Sequence, residues 1–285
     1  MNIVLGDNRY GKAETRLLRV ARLDDRHEIR ELGVSIALAG DFEATHLRGD
    51  NTNVLPTDTQ KNTVFAFAKE APVGQIEEFA LRLAWHFVRT CGPVREARVE
   101  VEEYPWAHVQ VRGAPHPHSF VRASAERRLT TVTCDGQDAS AVSGLADLVV
   151  LRSAGSEFWG FATDRYTTLE ETHDRILATA VSARWRFSGL NVQWAESFVE
   201  ARQVLLEAFA LGRSLSLQQT LFRMARAVLE ARPEITEVRL EMPNKHYFAV
   251  DLAPYGLTND NEVFYPTDRP YGLIEATVRR AAGVG

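Results

Sequence analysis

Hydrophobic positions along the chain recur mostly with a period of two, interrupted by a few stretches with a helical period. Runs 16–22 and 28–38 read as strands. Val99 and Val101 share one face of 98–102, Val109 and Val111 share one face of 107–112, and 129–133 is rich in β-branched residues. Later, 147–152 is an apolar strand, and Val181, Ala183, Trp185 and Phe187 alternate with Ser182, Arg184 and Arg186. Val238, Leu240 and Met242 alternate next, and His246, Phe248, Val250 and Leu252 share a face of what reads as a separate strand. Helical spacing appears at Ile76, Phe79, Ala80, Leu83 and Phe87 within 75–88, which Gly92-Pro93 ends. Two more helices place Phe198, Ala201, Leu205 and Phe209 together, and Leu217, Leu221, Met224 and Val228 together.

Each half thus runs roughly strand, strand, helix, helix, strand, strand. The halves share no strong residue identity, so the repeat is architectural. Long alternating strands with segregated helices predict an α+β protein of antiparallel sheets with helices on one side. The 285 residues suffice for one large domain or two ordinary ones. A net charge of −5 supplies no basic field for nucleic acid, and no apolar run approaches the ~18 residues of a membrane helix. Only Cys91 and Cys134 are cysteines, too few for a disulfide framework and without zinc spacing, so a reducing, cytoplasmic setting is expected. The start lacks the pattern of a signal peptide.

Taken singly, the polar candidates have ordinary readings. Lys12, after Tyr10-Gly11, is a solvated charge unless burial or nearby cations disfavour its ammonium and make it a base. Pro56-Thr57-Asp58 reads as a helix start with Thr57 as N-cap, a place where backbone N–H groups can also bind a ligand. His246 on an apolar strand face is a core histidine, and Phe158 a core aromatic. Arg175 is a surface ion-pair partner, and Gln218, at the start of a helix, is solvated, with Gln219 as an adjacent alternative. His116-Pro117-His118 reads as a surface loop with no third metal ligand. No phosphate loop or dinucleotide glycine fingerprint is present.

In combination these segments say more. Tyr10-Gly11-Lys12, Thr57-Asp58 with Lys61-Asn62-Thr63, Phe158-Trp159-Gly160-Phe161, Tyr166-Thr167-Thr168-Leu169, Asp174-Arg175-Ile176-Leu177 and Pro243-Asn244-Lys245-His246-Tyr247-Phe248 occur in that order. The chain resembles the urate oxidase (uricase) family from about residue 10 to about residue 275. The resemblance implies two tandem tunnelling-fold units, 1–140 and 141–285, whose sheets join into a barrel in a homotetramer. It implies oxidation of urate by molecular oxygen with no metal or organic cofactor. It implies that Lys12, Thr57 and His246 relay protons, that Phe158 stacks on the purine, and that Arg175 and Gln218 clamp its edges. The Asp58 backbone would meet the substrate edge, the Leu217 backbone would stand where valine is usual, and Asn244 with His246 would hold oxygen or water above the ring. The chain ends without the Ser-Lys-Leu address of peroxisomal relatives, which favours a bacterial, cytoplasmic protein.

Two other readings stay open. A pterin-pathway enzyme on the same fold would need a histidine-rich zinc site or an anchoring glutamate. A purine binder without chemistry would dispense with Lys12, Thr57 and His246.

Overall fold

The computed structural model describes residues 3–281. Residues 282–285, on which the expectation about a peroxisomal ending rests, lie outside the described residues. The protein is α+β and divides into two compact units, Met1–Gly144 with Phe187–Ala195, and Leu145–Arg186 with Glu196–Gly285.

In the first unit, β1 (Tyr10–Arg22), β2 (His27–Gly40), β3 (Val94–Tyr104) and β6 (Arg127–Cys134) are neighbours in that order and antiparallel. The first residues of β7 (Ala139–Arg152) follow β6. Helix α2 (Thr57–Glu70) packs on β1, and α3 (Ile76–Thr90) packs on β3 and β6. The core follows the predicted periodicities: Ile76, Phe79, Ala80, Leu83 and Phe87 of α3 are fully buried, as is Val99 of β3. At ~25 cal/mol per Å² of apolar surface, each of these side chains larger than alanine contributes roughly 1.5–3 kcal/mol. A capping box starts α3, in which Gln75 and Glu78 satisfy each other's backbone N–H groups.

His116-Pro117-His118 is not in a loop. It lies on β5 (Ala114–Arg122), which pairs only with β4 (Trp106–Val111) in a two-stranded sheet. A strand with one partner leaves half its N–H groups outside the ladder, so it tolerates Pro115 and Pro117.

In the second unit the order is the rest of β7, then β8 (Leu177–Phe187), β9 (Ile235–Ala249) and β10 (Phe264–Arg279). Helices α4 (Trp194–Ala210, in this unit from Glu196) and α5 (Leu217–Ala231) bury most of the expected stripes: Ala201, Leu205, Phe209, Leu217, Leu221, Met224 and Val228 are buried, while Phe198 is half-buried. Helix α5 packs on β9 and β10. The two runs read as separate strands, 238–242 and 246–252, are one: β9 runs unbroken through Pro243 and ends at Ala249, so Val250 and Leu252 fall beyond it. Its partner β10 was not anticipated. No helix among the described residues is long and apolar enough to cross a membrane.

Candidate active site

A cavity of about 550 Å³ opens in the second unit, within the ~300–1,000 Å³ usual for small-molecule sites. It gathers Phe158, Arg175, Leu217, Gln218, Asn244 and His246, which lie on three loop or helix starts and one strand. Phe264 and Ile274 of β10 also line it; sequence reasoning gave them no role.

Phe158 sits on an extended segment held from both sides. It exchanges two backbone hydrogen bonds with Thr172, at 2.8 and 2.9 Å. Its ring stacks on Phe161, with centroids 5.0 Å apart and planes inclined by 15°. The Arg175 guanidinium carbon lies 5.2 Å from the Phe158 ring centroid. The backbone N–H of Arg175 donates to Ser156 at 2.9 Å, which fixes where the side chain starts. Burial pushes the guanidinium below its ordinary pKa, and its Nε is buried without a hydrogen-bond partner. This is not the surface ion-pair residue that the isolated sequence suggests. A desolvated cation with an unused donor beside a flat apolar ring suits a planar anion.

Helix α5 starts at the cavity lining, with Leu217 and Gln218. Ser216 is its N-cap, its hydroxyl accepting from the Gln219 N–H at 3.1 Å. The Gln219 side chain reaches back to accept from the Leu215 N–H at 3.0 Å. Gln219 is therefore committed to the helix start, while Gln218 is exposed to the cavity. Of the two glutamines, Gln218 is the one that lines the cavity.

Asn244 and His246 enter from β9. The ladder with β10 is regular up to Thr267↔His246, then shifts and resumes at Gly272↔Asn244. A shift in register re-aims side chains locally. The His246 ring is stacked with Phe248, centroids 5.7 Å apart and planes at 17°, so the two share a face as expected.

Lys12, Thr57 and Asp58 belong to the first unit and are not among the residues lining this cavity. They do come near one another. Lys12 is half-buried on β1, just before a register shift against β2. Thr57 is the first residue of α2 and not its N-cap: Pro56 takes that position, with φ −52° and ψ 139°, and no side chain caps the helix. Proline has the extended geometry of that position built in. The Thr57 hydroxyl is thereby released from capping. The Asp58 carboxyl is held below its usual range, first by its hydrogen bond and ion pair with Lys61, then by Asn62, with a smaller contribution from the Lys12 charge.

Two neighbours of Lys12 fix this arrangement. The Tyr10 hydroxyl bonds to both backbone groups of Leu55, just before α2, and its ring packs edge-on against Phe42 at 4.8 Å. Gly11 lies against β2 so closely that a Cβ there would fall 1.8 Å from the Ile36 carbonyl oxygen. Among the described residues, no group of three or more His, Cys, Asp or Glu side chains is placed to hold a metal ion.

The uricase family model matches residues 8–133 and 141–275. A uricase of Arthrobacter globiformis is 50% identical over 278 residues, covering 98% of this chain and 90% of that protein. A uricase of Aspergillus flavus is 38% identical over 291 residues, with 96% of each covered. The crystal structure of the Arthrobacter globiformis uricase superposes with a TM-score of 0.94 at 49% identity, covering all of this chain and 98% of that one. Matched along nearly its whole length in both sequence and backbone, the chain belongs to the uricase family.

Proposed function

We propose that this chain is a urate oxidase catalysing urate + O₂ + H₂O → 5-hydroxyisourate + H₂O₂. The observation that carries the reading is the Arg175 guanidinium, desolvated and with an unused donor, beside the Phe158 ring in a cavity that Gln218 also lines. Urate is flat, anionic near neutral pH and edged with acceptors. Phe158 offers it a stacking face, Arg175 a two-pronged donor for one edge, and the Gln218 amide a donor and an acceptor for another. The Leu217 backbone N–H adds a contact at the helix start.

Two electrons pass from the electron-rich urate dianion to oxygen, which leaves as peroxide after taking up two protons. Water then adds to the oxidised ring. No metal or organic cofactor is required in this scheme, and oxygen is a co-substrate. Asn244 and His246, side by side on β9 at the cavity wall, hold oxygen and then water over the ring. Histidine suits this because it can give and take a proton near neutral pH. Lys12 and Thr57 form an amine–hydroxyl pair that removes and returns protons, with the Asp58 backbone at the substrate edge. The protein supplies alignment, charge stabilisation and proton transfer.

Residues 1–140 and 141–285 act as two tunnelling-fold units, each with antiparallel strands and two long helices. Lys12 and Thr57 complete the cavity of a neighbouring subunit within a homotetramer whose sheets form a barrel. Edge strands with exposed apolar side chains support self-association: Leu18 and Val20 on β1, and Tyr265, Tyr271 and Leu273 on β10. The two free cysteines fit a reducing, cytoplasmic setting.

The test is loss of urate absorbance coupled one-to-one to peroxide formation, before and after exhaustive chelation. Activity that chelation leaves intact is expected. Binding of urate without turnover would point to an inactive purine binder. Activity lost on chelation and restored by copper, iron or zinc would overturn the cofactor-free scheme.

A further inference from the structure

Glu157 lies between two residues of the cavity region yet does not line the cavity. It is 4% exposed, and nearly every polar atom it has is engaged. Oε2 accepts from the Trp159 indole N–H at 2.7 Å and lies 3.9 Å from Nδ1 of His173. Oε1 forms an ion pair with Nε of Arg213. The Glu157 N–H donates to the Ser214 carbonyl at 2.7 Å, and the Ser214 N–H donates to Gly155 at 3.0 Å. Segments 155–157 and 213–214 therefore clasp each other through backbone and side chain together.

Each segment carries one wall of the cavity. Ser156 accepts the Arg175 N–H, and Phe158 follows Glu157 directly. On the other side, the buried Ser214 hydroxyl bonds to that of Thr220 at 2.7 Å, and Ser216 caps the helix that begins with Leu217 and Gln218. We propose that Glu157 is a positioning residue: by gripping Arg213 it sets the separation between the Phe158–Arg175 wall and the Gln218 wall. The pair has an electrostatic use as well. A buried carboxylate one residue from an anion site would repel the ligand. Arg213 pairs with it and offsets that charge beside the Arg175 wall. The proposal rests on the reading of the cavity as a urate site and deepens it.

The experiment uses the full chain, with steady-state kinetics on urate and calorimetric titration with xanthine as a non-reactive purine. Glu157→Ala and Arg213→Ala are each expected to raise the urate KM and the xanthine Kd roughly tenfold, one decade at ~1.4 kcal/mol. Turnover at saturating urate should stay within about threefold of wild type, since uniform binding is what is lost. Glu157→Gln keeps an acceptor for Trp159 and a neutral bond to Arg213, so it should recover most of the affinity. The double variant should be no worse than the worse single one.

A purely structural role predicts otherwise: a lower Tm with KM and Kd unmoved, and that result overturns the proposal. If Glu157→Ala does not fold, Arg213→Ala carries the test alone, because its side chain is 65% exposed. A wild-type protein that leaves urate untouched overturns the functional reading itself. An active wild type with indifferent variants overturns only the role of Glu157.

Discussion

The Tyr10 hydroxyl donates to the Leu55 carbonyl at 3.1 Å and accepts from the Leu55 N–H at 2.9 Å. One phenol thus ties the strand bearing Lys12 to the backbone two residues before Thr57. Both tethered positions stand two residues from a proposed relay group. The bond therefore sets where the amine and the hydroxyl sit relative to each other.

Tyr10→Phe should separate these effects from packing, because the ring stays against Phe42. Two hydrogen bonds at a net ~0.5–1.5 kcal/mol each amount to roughly 1–3 kcal/mol of stability. Scanning calorimetry should register this as a lower Tm. Catalytic efficiency on urate should fall about tenfold to a hundredfold, as misplacement of reacting groups commonly costs. Full activity at reduced Tm would mean that the tether serves only the fold.

For the relay, Lys12→Met keeps an unbranched stem and removes the amine. Turnover should fall steeply while binding of xanthine stays near normal. Thr57→Ala should fall as well. If the two act as one unit, the double variant will be little worse than the worse single variant. Losses that multiply would show two independent roles.

Arg175→Ala should cost roughly 2–5 kcal/mol of transition-state stabilisation, the usual penalty for unpairing a desolvated charge. That corresponds to about a thirtyfold to several-thousandfold drop in kcat/KM on urate. Arg175→Lys should recover part of it, since an ammonium cannot reproduce the two-pronged donor. Gln218→Ala should cost less, because no formal charge is lost. Gln219→Ala should act on stability first, through its bond to Leu215. Wild-type efficiency in Arg175→Ala would remove this residue from the anion clamp.

Subunit complementation tests the proposal that each site is shared between two subunits. Lys12→Met and Arg175→Ala homomers should each be nearly inactive. Mixed under conditions that exchange subunits, they should regain activity, because some sites then receive an intact half from each partner. Mass spectrometry would establish the exchange. Continued inactivity after exchange would argue that each site is built from a single chain.

Much of this architecture was legible because burial follows period. Val99 and Val101, or Leu217, Leu221, Met224 and Val228, announce their element by spacing alone. Strand β10 did not: Pro266, Pro270 and Gly272 interrupt it, and most of its side chains are exposed on both faces, so no alternation develops. The prolines of β5 hid that strand in the same way, and the six residues of α1 (Glu43–Arg48) are too few to display a period. The cavity residues were named through the family resemblance. Bare sequence misjudged Arg175, because its desolvation depends on Phe158, seventeen positions away, and on backbone placement at Ser156. Glu157 gave no signal at all. A glutamate beside apolar residues is normally solvated, and its partner Arg213 lies in another segment of the chain.

Position 11 carries a consequence for inheritance and for engineering. Any side chain there would strike the Ile36 carbonyl, so the site accepts a one-letter alphabet. Tyr10 and Lys12 cannot drift apart by substitution at the residue between them; variation must enter at both flanks or not at all. A directed-evolution library randomised across 10–12 would therefore yield folded clones almost wholly with glycine in the middle. Lineages that alter the amine or the phenol must do so against a fixed hinge in the genetic text.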